Sequence, residues 1–147
     1  MKLVIQRVKS ASVTINEKIY SSINNGLLVL YGVEKGDTED FSKYLCDKIL
    51  KLRIFEDENE KMNLSVKDVN GEILIVSQFT LAGDTRKGTR PSFDSAMPPQ
   101  EAKIMYENFV SMVRENCSLE VKTGIFGAMM DVALINDGPV TFILEKH

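Results

Sequence analysis

The chain has 147 residues and a formal net charge of -3; 44% of its residues are hydrophobic and 27% are charged. These values predict one globular domain over residues 1–147, and they argue against a protein that coats nucleic acid by general electrostatic attraction. The only histidine is His147 and the only cysteines are Cys46 and Cys117, so neither a Cys/His zinc cluster nor a Ser-His-Asp triad has its usual side chains.

The N-terminal part of the chain predicts strands. Its start, Met1–Arg7, becomes charged too early for a secretory signal. No apolar run approaches the roughly 18 residues of a membrane span, so we expect a cytoplasmic protein without a membrane partner. Apolar and polar residues alternate over Lys2–Lys9 and again over Ala11–Ile15, which is typical of two strands. The continuous apolar run Gly26–Val33 predicts a buried strand.

A first amphipathic helix is predicted over residues 38–51. Thr38 offers an N-cap. Apolar residues then recur at spacings near three and four, namely Phe41, Tyr44, Leu45, Ile49, Leu50 and Leu52. The acidic and polar segment Phe55–Asn63 predicts a surface loop, and Glu72–Phe79 predicts a second buried strand.

The C-terminal half combines a long loop, a second helix and short strands. Ala82–Met97 has no apolar period, and a loop of this length in a compact domain is often functional. Pro98–Glu101 begins a helix, because proline is tolerated in the first turn. Three strands are predicted after it, at Leu119–Lys122, Val132–Ile135 and Val140–Leu144. Because helices and strands do not alternate regularly, the sequence predicts an α+β fold with two main helices and a curved antiparallel or mixed sheet.

The first candidate site is the segment Ser77-Gln78-Phe79-Thr80-Leu81, at the end of the second buried strand. Polar side chains at such a position are costly unless they form hydrogen bonds or face a cleft. Backbone N–H groups freed at a strand end also bind a developing oxyanion. The alternative is an ordinary strand, with Ser77, Gln78 and Thr80 on its exposed face and Phe79 in the core.

The second candidate site is the segment Asp84-Thr85-Arg86-Lys87-Gly88-Thr89-Arg90, called the basic loop below. Its three cations, Arg86, Lys87 and Arg90, are suited to contact phosphates. The alternative is a solvated loop whose charge is neutralised by Asp84 and Asp94.

The third candidate is Asn136-Asp137-Gly138-Pro139. The plain interpretation is a hairpin turn between the last two strands, since a proline that starts a strand need not donate a ladder hydrogen bond. None of the three segments identifies a function by itself.

Ordered sequence blocks nevertheless extend along the whole chain. The most specific are Ser77-Gln78-Phe79-Thr80-Leu81, Arg86-Lys87-Gly88, Arg90-Pro91-Ser92-Phe93, Phe126-Gly127-Ala128 and Asn136-Asp137-Gly138-Pro139-Val140-Thr141. Through these blocks the chain closely resembles the D-aminoacyl-tRNA deacylase (D-tyrosyl-tRNA deacylase) family from end to end. The small departures at Ser21-Ser22, Ala82 and Thr89 lie outside the two core motifs.

The resemblance implies a homodimer with a β-barrel-like fold and active sites at the subunit interface. We expect no metal or cofactor, because the chemistry proposed below requires none. It implies hydrolysis of the ester bond of D-aminoacyl-tRNA, and of glycyl-tRNA, at the 3′ acceptor end. Four residues match those that line the pocket for the terminal adenosine and the ester, namely Ser77, Gln78, Phe79 and Thr80.

Gly138-Pro139 matches the family's Gly-cisPro motif, which enters the partner's pocket, and Arg7 matches a residue that braces this motif. We expect a cis bond there, because a cis peptide aims two successive carbonyls the same way. Both carbonyls then accept hydrogen bonds from the substrate's α-ammonium group. An L side chain would point into the Gly-Pro wall, whereas a D side chain would point outward and glycine has no side chain to clash.

The lack of an internal histidine bears on the mechanism. A threonine nucleophile normally needs an adjacent base, so we favour attack by water, assisted by the 2′-hydroxyl of the terminal ribose, over covalent catalysis by Thr80. Backbone N–H groups near Phe79 and Thr80 are predicted to hold the ester oxygen. The cations of the basic loop are predicted to contact tRNA phosphates.

Three other classes stay open at this point. A non-catalytic tRNA-end-binding dimer would use the basic loop but leave Thr80 and Gly138-Pro139 without a role. A structural dimer would need no substrate, and a hydrolase of another ester would act on a small molecule. DNA is not an expected partner.

Overall fold

The computed structural model describes all residues from Met1 to His147. In chain order its elements are β1 (Lys2–Ile15), β2 (Lys18–Ile23), β3 (Gly26–Gly32), α1 (Glu39–Lys51), β4 (Phe55–Glu56), β5 (Met62–Leu64), β6 (Glu72–Ser77), a 3-10 turn (Phe79–Ala82), α2 (Pro99–Glu115), β7 (Val121–Thr123) and β8 (Asp131–Glu145). Neither α1 nor α2 is long and apolar enough to cross a membrane.

One mixed sheet of six strands forms the centre of the molecule. Strand β1 pairs antiparallel with β3 along its first half, with β2 along its second half, and with β8 along its other edge. Strands β6 and β7 extend the sheet in parallel beyond β3. The Ser21 hydroxyl on β2 donates a hydrogen bond to the Thr123 carbonyl oxygen on β7 at 2.7 Å, so the sheet curves back on itself as a nearly closed barrel. This confirms the predicted α+β fold with a barrel-like sheet and two main helices.

Alternation along the central strands divides the core in two. Leu27, Val29 and Tyr31 on β3 belong to the larger cluster, which also contains the apolar faces of α1 and α2. Leu28 points the opposite way, into a smaller cluster with residues of β1, β2 and β6, because successive strand residues face opposite sides. Each large side chain buried here stabilises the fold by roughly 1.5–3 kcal/mol. Because β6 is buried on both faces, its C-terminal end is held firmly in place.

Both predicted helices are confirmed. Thr38 occupies the N-cap position, but its hydroxyl makes no capping hydrogen bond. Glu39 and Asp40 lie in the first turn instead, where negative charge interacts favourably with the positive end of the helix dipole.

The strand predictions fail where pairing is long-range. Lys2–Lys9 and Ala11–Ile15 form one strand rather than two, and the pattern does not reveal Lys18–Ile23. The predicted loop Phe55–Asn63 contains β4 and the start of β5. In each case the partner strand satisfies backbone groups that local alternation does not assign.

The last two predicted strands also form a single element. Val132–Ile135 and Val140–Leu144 both belong to β8, which pairs with β1 before and after the intervening segment. Asn136-Asp137-Gly138-Pro139 is therefore not a hairpin turn, and the plain interpretation of this segment is wrong.

Candidate functional site

A cavity of about 730 Å³ opens beside the C-terminal end of β6. Ser77, Gln78 and Phe79 contribute to its lining, together with the start of α2, residues 126–130 and Val132. A groove of about 740 Å³ lies between α1 and α2, but it is lined by many charged side chains and by none of the predicted site residues. Ligand pockets are mostly apolar with a few convergent polar groups, so the cavity beside β6 is the candidate site.

The chain leaves the sheet at Ser77, two residues earlier than predicted, and enters the 3-10 turn. The Gln78 N–H donates to the carbonyl oxygen of Tyr31 at 2.7 Å, which fixes the exit from β6. Phe79 is then turned outward and is 59% exposed. The alternative of an ordinary strand with Phe79 in the core is therefore wrong.

An aromatic pair forms one wall of the cavity. The rings of Phe79 and Phe93 lie 5.1 Å apart, centroid to centroid, with an angle of 57° between their planes. Both residues line the cavity, and their exposed ring faces are suited to stacking against a planar base. Gln78 Nε2 donates a hydrogen bond to Thr80 Oγ1, which fixes a polar pair beside the aromatic wall, although Thr80 does not line the cavity itself.

The predicted basic loop begins and ends beside this wall. Backbone hydrogen bonds of 2.8 and 3.0 Å between Asp84 and Ser92 close the loop at its base. Phe93 is the next residue after this closure. The base of the loop is therefore adjacent in sequence to the aromatic wall of the cavity.

The three loop cations differ in their surroundings. Arg86 forms an ion pair with Asp84 at 2.7 Å. The side chain and the backbone N–H of Arg86 donate hydrogen bonds to the Asp84 carboxylate, and these hydrogen bonds lower the pKa of that carboxyl to about 2. Lys87 and Arg90 are exposed and form no ion pair, and neither does Asp94. The neutralised-loop interpretation therefore accounts for Arg86 alone.

Gly138 and Pro139 lie on a bulge of β8. In the register with β1, residues 137–140 stand opposite Arg7 alone, which forces the extra residues out of the sheet. The Gly138–Pro139 peptide bond is cis, the isomer that the resemblance implied. Both residues are exposed, and neither lines the cavity of its own chain.

Arg7 is buried beneath this bulge, with 5% of its surface exposed. Its Nη1 donates to the Ile54 carbonyl oxygen at 2.7 Å, and its Nε lies 3.1 Å from both the carbonyl and a carboxylate oxygen of Asp137. A Glu56 carboxylate oxygen lies 3.5 Å from Nη2. The guanidinium therefore connects the bulge to β4 and the residue before it.

Asn136 fixes the neck of the bulge. Its Nδ2 donates to the carbonyl oxygens of Arg7 and Val140, both at 3.0 Å. A Cβ added to Gly138 would collide with the Oδ1 atom of Asn136. Packing therefore requires glycine at position 138 as long as Asn136 holds this position.

The predicted site residues thus fall into two groups. Residues 77–79 line the cavity, and the basic loop closes next to Phe93 on the cavity wall without lining the cavity itself. Arg7 and Gly138-Pro139 form a separate assembly on β8. Sequence reasoning missed Phe93 as a site residue, although it lies in a block that carries the resemblance, and it gave Asn136 no role of its own within the third candidate segment. Lys35, which also lines the cavity, carries no such signal.

Sequence comparison identifies relatives along the whole chain. A family model described as D-Tyr-tRNA(Tyr) deacylase matches residues 4–145. A D-aminoacyl-tRNA deacylase from Exiguobacterium sp. is 56% identical over 147 residues, which is 100% of this chain and 99% of that relative.

Two solved structures are similar to the model. One, described as "c-Myc DNA Unwinding Element Binding Protein", has a TM-score of 0.96 and 44% identity, and the alignment covers 100% of this chain and 99% of the other. The other, described as "Structural Analysis of a probable eukaryotic D-amino acid tRNA deacylase", has a TM-score of 0.80 over 97% of each chain. Its identity is 18%, so it supports the fold alone.

Proposed function

The chain belongs to the D-Tyr-tRNA(Tyr) deacylase family, and from this premise we propose that it hydrolyses the ester bond of D-aminoacyl-tRNA, releasing free D-amino acid and tRNA. The observation that carries the proposal is the cavity beside β6. Its wall contains Ser77, Gln78 and Phe79, in a chain that is 56% identical to a D-aminoacyl-tRNA deacylase over its whole length. The substrate is used in the cytoplasm, where we expect the protein to act.

We assign the aromatic wall to the adenine of the terminal adenosine. Stacking of a base on an aromatic side chain contributes about 1–3 kcal/mol, and Phe79 and Phe93 present exposed rings on the cavity wall. Ser77 and Gln78 lie on the same wall and supply polar groups for the ribose and the ester.

The reaction needs positioning more than a strong nucleophile, because an aminoacyl ester is already activated. Water attacks the carbonyl carbon with assistance from the 2′-hydroxyl of the terminal ribose; the ester C–O bond breaks and the ribose oxygen leaves with a proton. The N–H groups of Phe79 and Thr80 lie in the first turn of the 3-10 helix, where N–H groups have no partner within the helix. They are assigned to the developing oxyanion.

Thr80 is assigned a supporting role. Its Oγ1 accepts a hydrogen bond from Gln78, and the only histidine of the chain is the C-terminal residue. A hydroxyl nucleophile needs an adjacent base, and none of the cavity-lining side chains is a histidine or a carboxylate.

Gly138 and Pro139 are assigned to the cavity of a second copy, in a homodimer. They are exposed and do not line their own cavity. Strand β8 pairs along one edge only and exposes Ile135 by 58% and Ile143 by 64%. A long unpaired edge with apolar side chains is a surface that proteins normally cover, and a second copy would cover it.

In this arrangement the bulge selects the enantiomer. Gly138 and Pro139 are exposed residues. Their carbonyl groups accept hydrogen bonds from the substrate's α-ammonium group, and Arg7 keeps the bulge in position. An L side chain would collide with the bulge, whereas a D side chain points away from it. Glycine has no side chain to exclude, so glycine that is mischarged on a non-cognate tRNA is also a substrate.

The basic loop is assigned to the acceptor end of the tRNA. Lys87 and Arg90 have no protein partner, whereas Arg86 must share its charge with Asp84. Lys87 and Arg90 therefore supply the greater part of the phosphate attraction, and Arg86 supplies less.

Parallel incubation with D-tyrosyl-tRNA and L-tyrosyl-tRNA tests the proposal. We expect loss of the D label alone. Loss of neither label would leave a non-catalytic tRNA-end-binding dimer as the function, and loss of both would eliminate the chirality filter. A tRNA with hydrogen in place of the terminal 2′-hydroxyl tests the assisted mechanism, because undiminished hydrolysis would rule it out.

A further inference from the structure

Lys35 is the one charged side chain among the 17 residues that line the cavity. The other lining residues are apolar, or carry a hydroxyl or an amide. Lys35 forms no ion pair. A single unpaired cation makes the electrostatic potential of an otherwise uncharged cavity uneven. An anion is attracted to the part of the cavity near the lysine, and a cation is repelled from it.

The backbone fixes where this cation lies. The Lys35 N–H donates to the Ser95 carbonyl oxygen at 2.8 Å, and Glu34 forms a β-bridge with Ala96. Ser95 and Ala96 follow closely on Phe93, the aromatic residue of the cavity wall. The short segment 92–96 therefore contacts the basic loop at its first residue and the backbone of Glu34 and Lys35 at its last two, with Phe93 between them.

Neighbouring carboxylates do not neutralise Lys35. Asp37 accepts hydrogen bonds from the Met1 ammonium group and the Glu34 N–H. Glu34 accepts a hydrogen bond from the Ser95 hydroxyl. Glu34 and Asp94 line a separate recess with Lys2 and Arg86, outside the cavity. The charge of Lys35 is therefore available to a ligand in the cavity.

We propose that Lys35 binds the 5′-phosphate of the terminal adenosine and thereby orients the acceptor end in the cavity. The inference rests on the proposed function. The end of an aminoacyl-tRNA carries an anionic phosphodiester on one side of the adenosine and a cationic α-ammonium group on the other. With the base stacked on Phe79 and Phe93, attraction of the phosphate to Lys35 directs the ammonium group to the opposite side, away from the like charge.

Short esters test this assignment without the rest of the tRNA. The 3′-D-tyrosyl ester of adenosine is compared with the same ester of adenosine 5′-monophosphate, using the intact protein and the variants Lys35→Gln and Lys35→Arg. We expect the wild type to have a KM roughly two- to fivefold lower for the phosphorylated ester, because Lys35 is an exposed side chain and exposed charge pairs contribute modestly to binding. We expect Lys35→Gln to remove that preference with kcat unchanged, and Lys35→Arg to keep most of it.

Lys43→Gln is the matched control, because Lys43 lies on α1 and pairs with Asp40, away from the cavity. It should keep the full preference for the phosphorylated ester. A full preference in Lys35→Gln would overturn the assignment while leaving the deacylase function intact. Hydrolysis of neither ester, together with stable D-tyrosyl-tRNA, would overturn both.

Discussion

The cavity beside β6 and the bulge on β8 are built in opposite ways. The cavity is assembled from segments far apart in sequence, with an exposed aromatic pair and few fixed polar contacts on its wall. The bulge is a short local segment that a buried guanidinium and a side-chain amide hold at several points. Yet the bulge projects away from its own sheet and contributes nothing to its own cavity.

The difference indicates how the two parts are used. A surface that receives a substrate needs shape and accessible groups, whereas a surface that rejects the wrong enantiomer must not yield when a side chain presses on it. The contacts of Arg7 and Asn136 that hold the bulge suit that second task. Under the proposed function, one copy supplies the receiving wall, and its bulge, at a different place, enters the site of another copy.

The largest effect is expected from breaking the rigid region through Arg7→Ala. The change leaves the carbonyls of Ile54 and Asp137 without a donor and the Glu56 carboxylate without its partner. We expect the free energy of unfolding to fall by about 2–4 kcal/mol, measured by urea denaturation, together with weaker discrimination between D- and L-tyrosyl-tRNA. Arg7→Lys keeps the charge but not the planar fork and should be intermediate. Unchanged stability and discrimination in Arg7→Ala would mean that the contacts of Arg7 with the bulge stabilise neither the fold nor the selection of the enantiomer.

Phe79→Ala tests the receiving wall. Phe79 is 59% exposed, so the fold should tolerate the change. Loss of stacking should raise KM for D-tyrosyl-tRNA about tenfold, within the range of about 1–3 kcal/mol for one stacked base. Tyr44→Ala, another exposed aromatic substitution but on α1, serves as control. Equal KM values for Phe79→Ala and wild type would contradict the proposal that the adenine stacks on this wall.

Lys87→Gln combined with Arg90→Gln sharpens the assignment of the basic loop. The slope of the logarithm of affinity against the logarithm of salt should decrease by about 0.7 per lost phosphate contact on a single strand. Binding of uncharged tRNA at several salt concentrations measures it. Arg86→Gln alone should change the slope less, because Asp84 already pairs with Arg86. A larger change of the slope in Arg86→Gln than in the double variant would contradict the assignment of the phosphate contacts to Lys87 and Arg90.

Thr80→Val is expected to have the smallest effect. The substitution removes the hydroxyl but keeps the shape and the backbone N–H. Because the hydroxyl is not the nucleophile in this account, kcat should fall by less than about tenfold, well below the roughly 10²–10³ typical of a lost oxyanion donor. Single-turnover hydrolysis of D-tyrosyl-tRNA measures it. A loss of a thousandfold would assign the chemistry to the hydroxyl.

Local sequence is enough for the helices and not for the bulge. Apolar residues recur at helical spacing over residues 39–51, so the spacing alone predicts which face of α1 is buried. The segment Asn136-Asp137-Gly138-Pro139 has the local composition of a turn. Only its pairing with β1 on both sides makes it a bulge, and that pairing is a long-range property.

The cavity shows the same limit. Ser77 to Thr80 stand out because polar residues follow a buried strand, and the resemblance assigned them to a pocket. Phe93 and Lys35 join them only through the backbone hydrogen bonds that fold the loop against the end of β3. No spacing rule connects positions 35, 79 and 93, so the pattern does not predict the wall as a unit.

Mixing two defective variants tests most directly whether the site is shared between copies. Phe79→Ala damages the receiving wall, and Gly138→Ala displaces the bulge because the added Cβ meets Asn136. After exchange of protomers in an equal mixture, half of the dimers contain one copy of each variant, and each of these has one undamaged site. At substrate concentrations well below the wild-type KM, where both separate variants are weakly active, the account predicts that activity on D-tyrosyl-tRNA rises to about one quarter of the wild-type value, provided that protomers exchange randomly. Activity that stays at the mean of the two separate variants after verified exchange would contradict it.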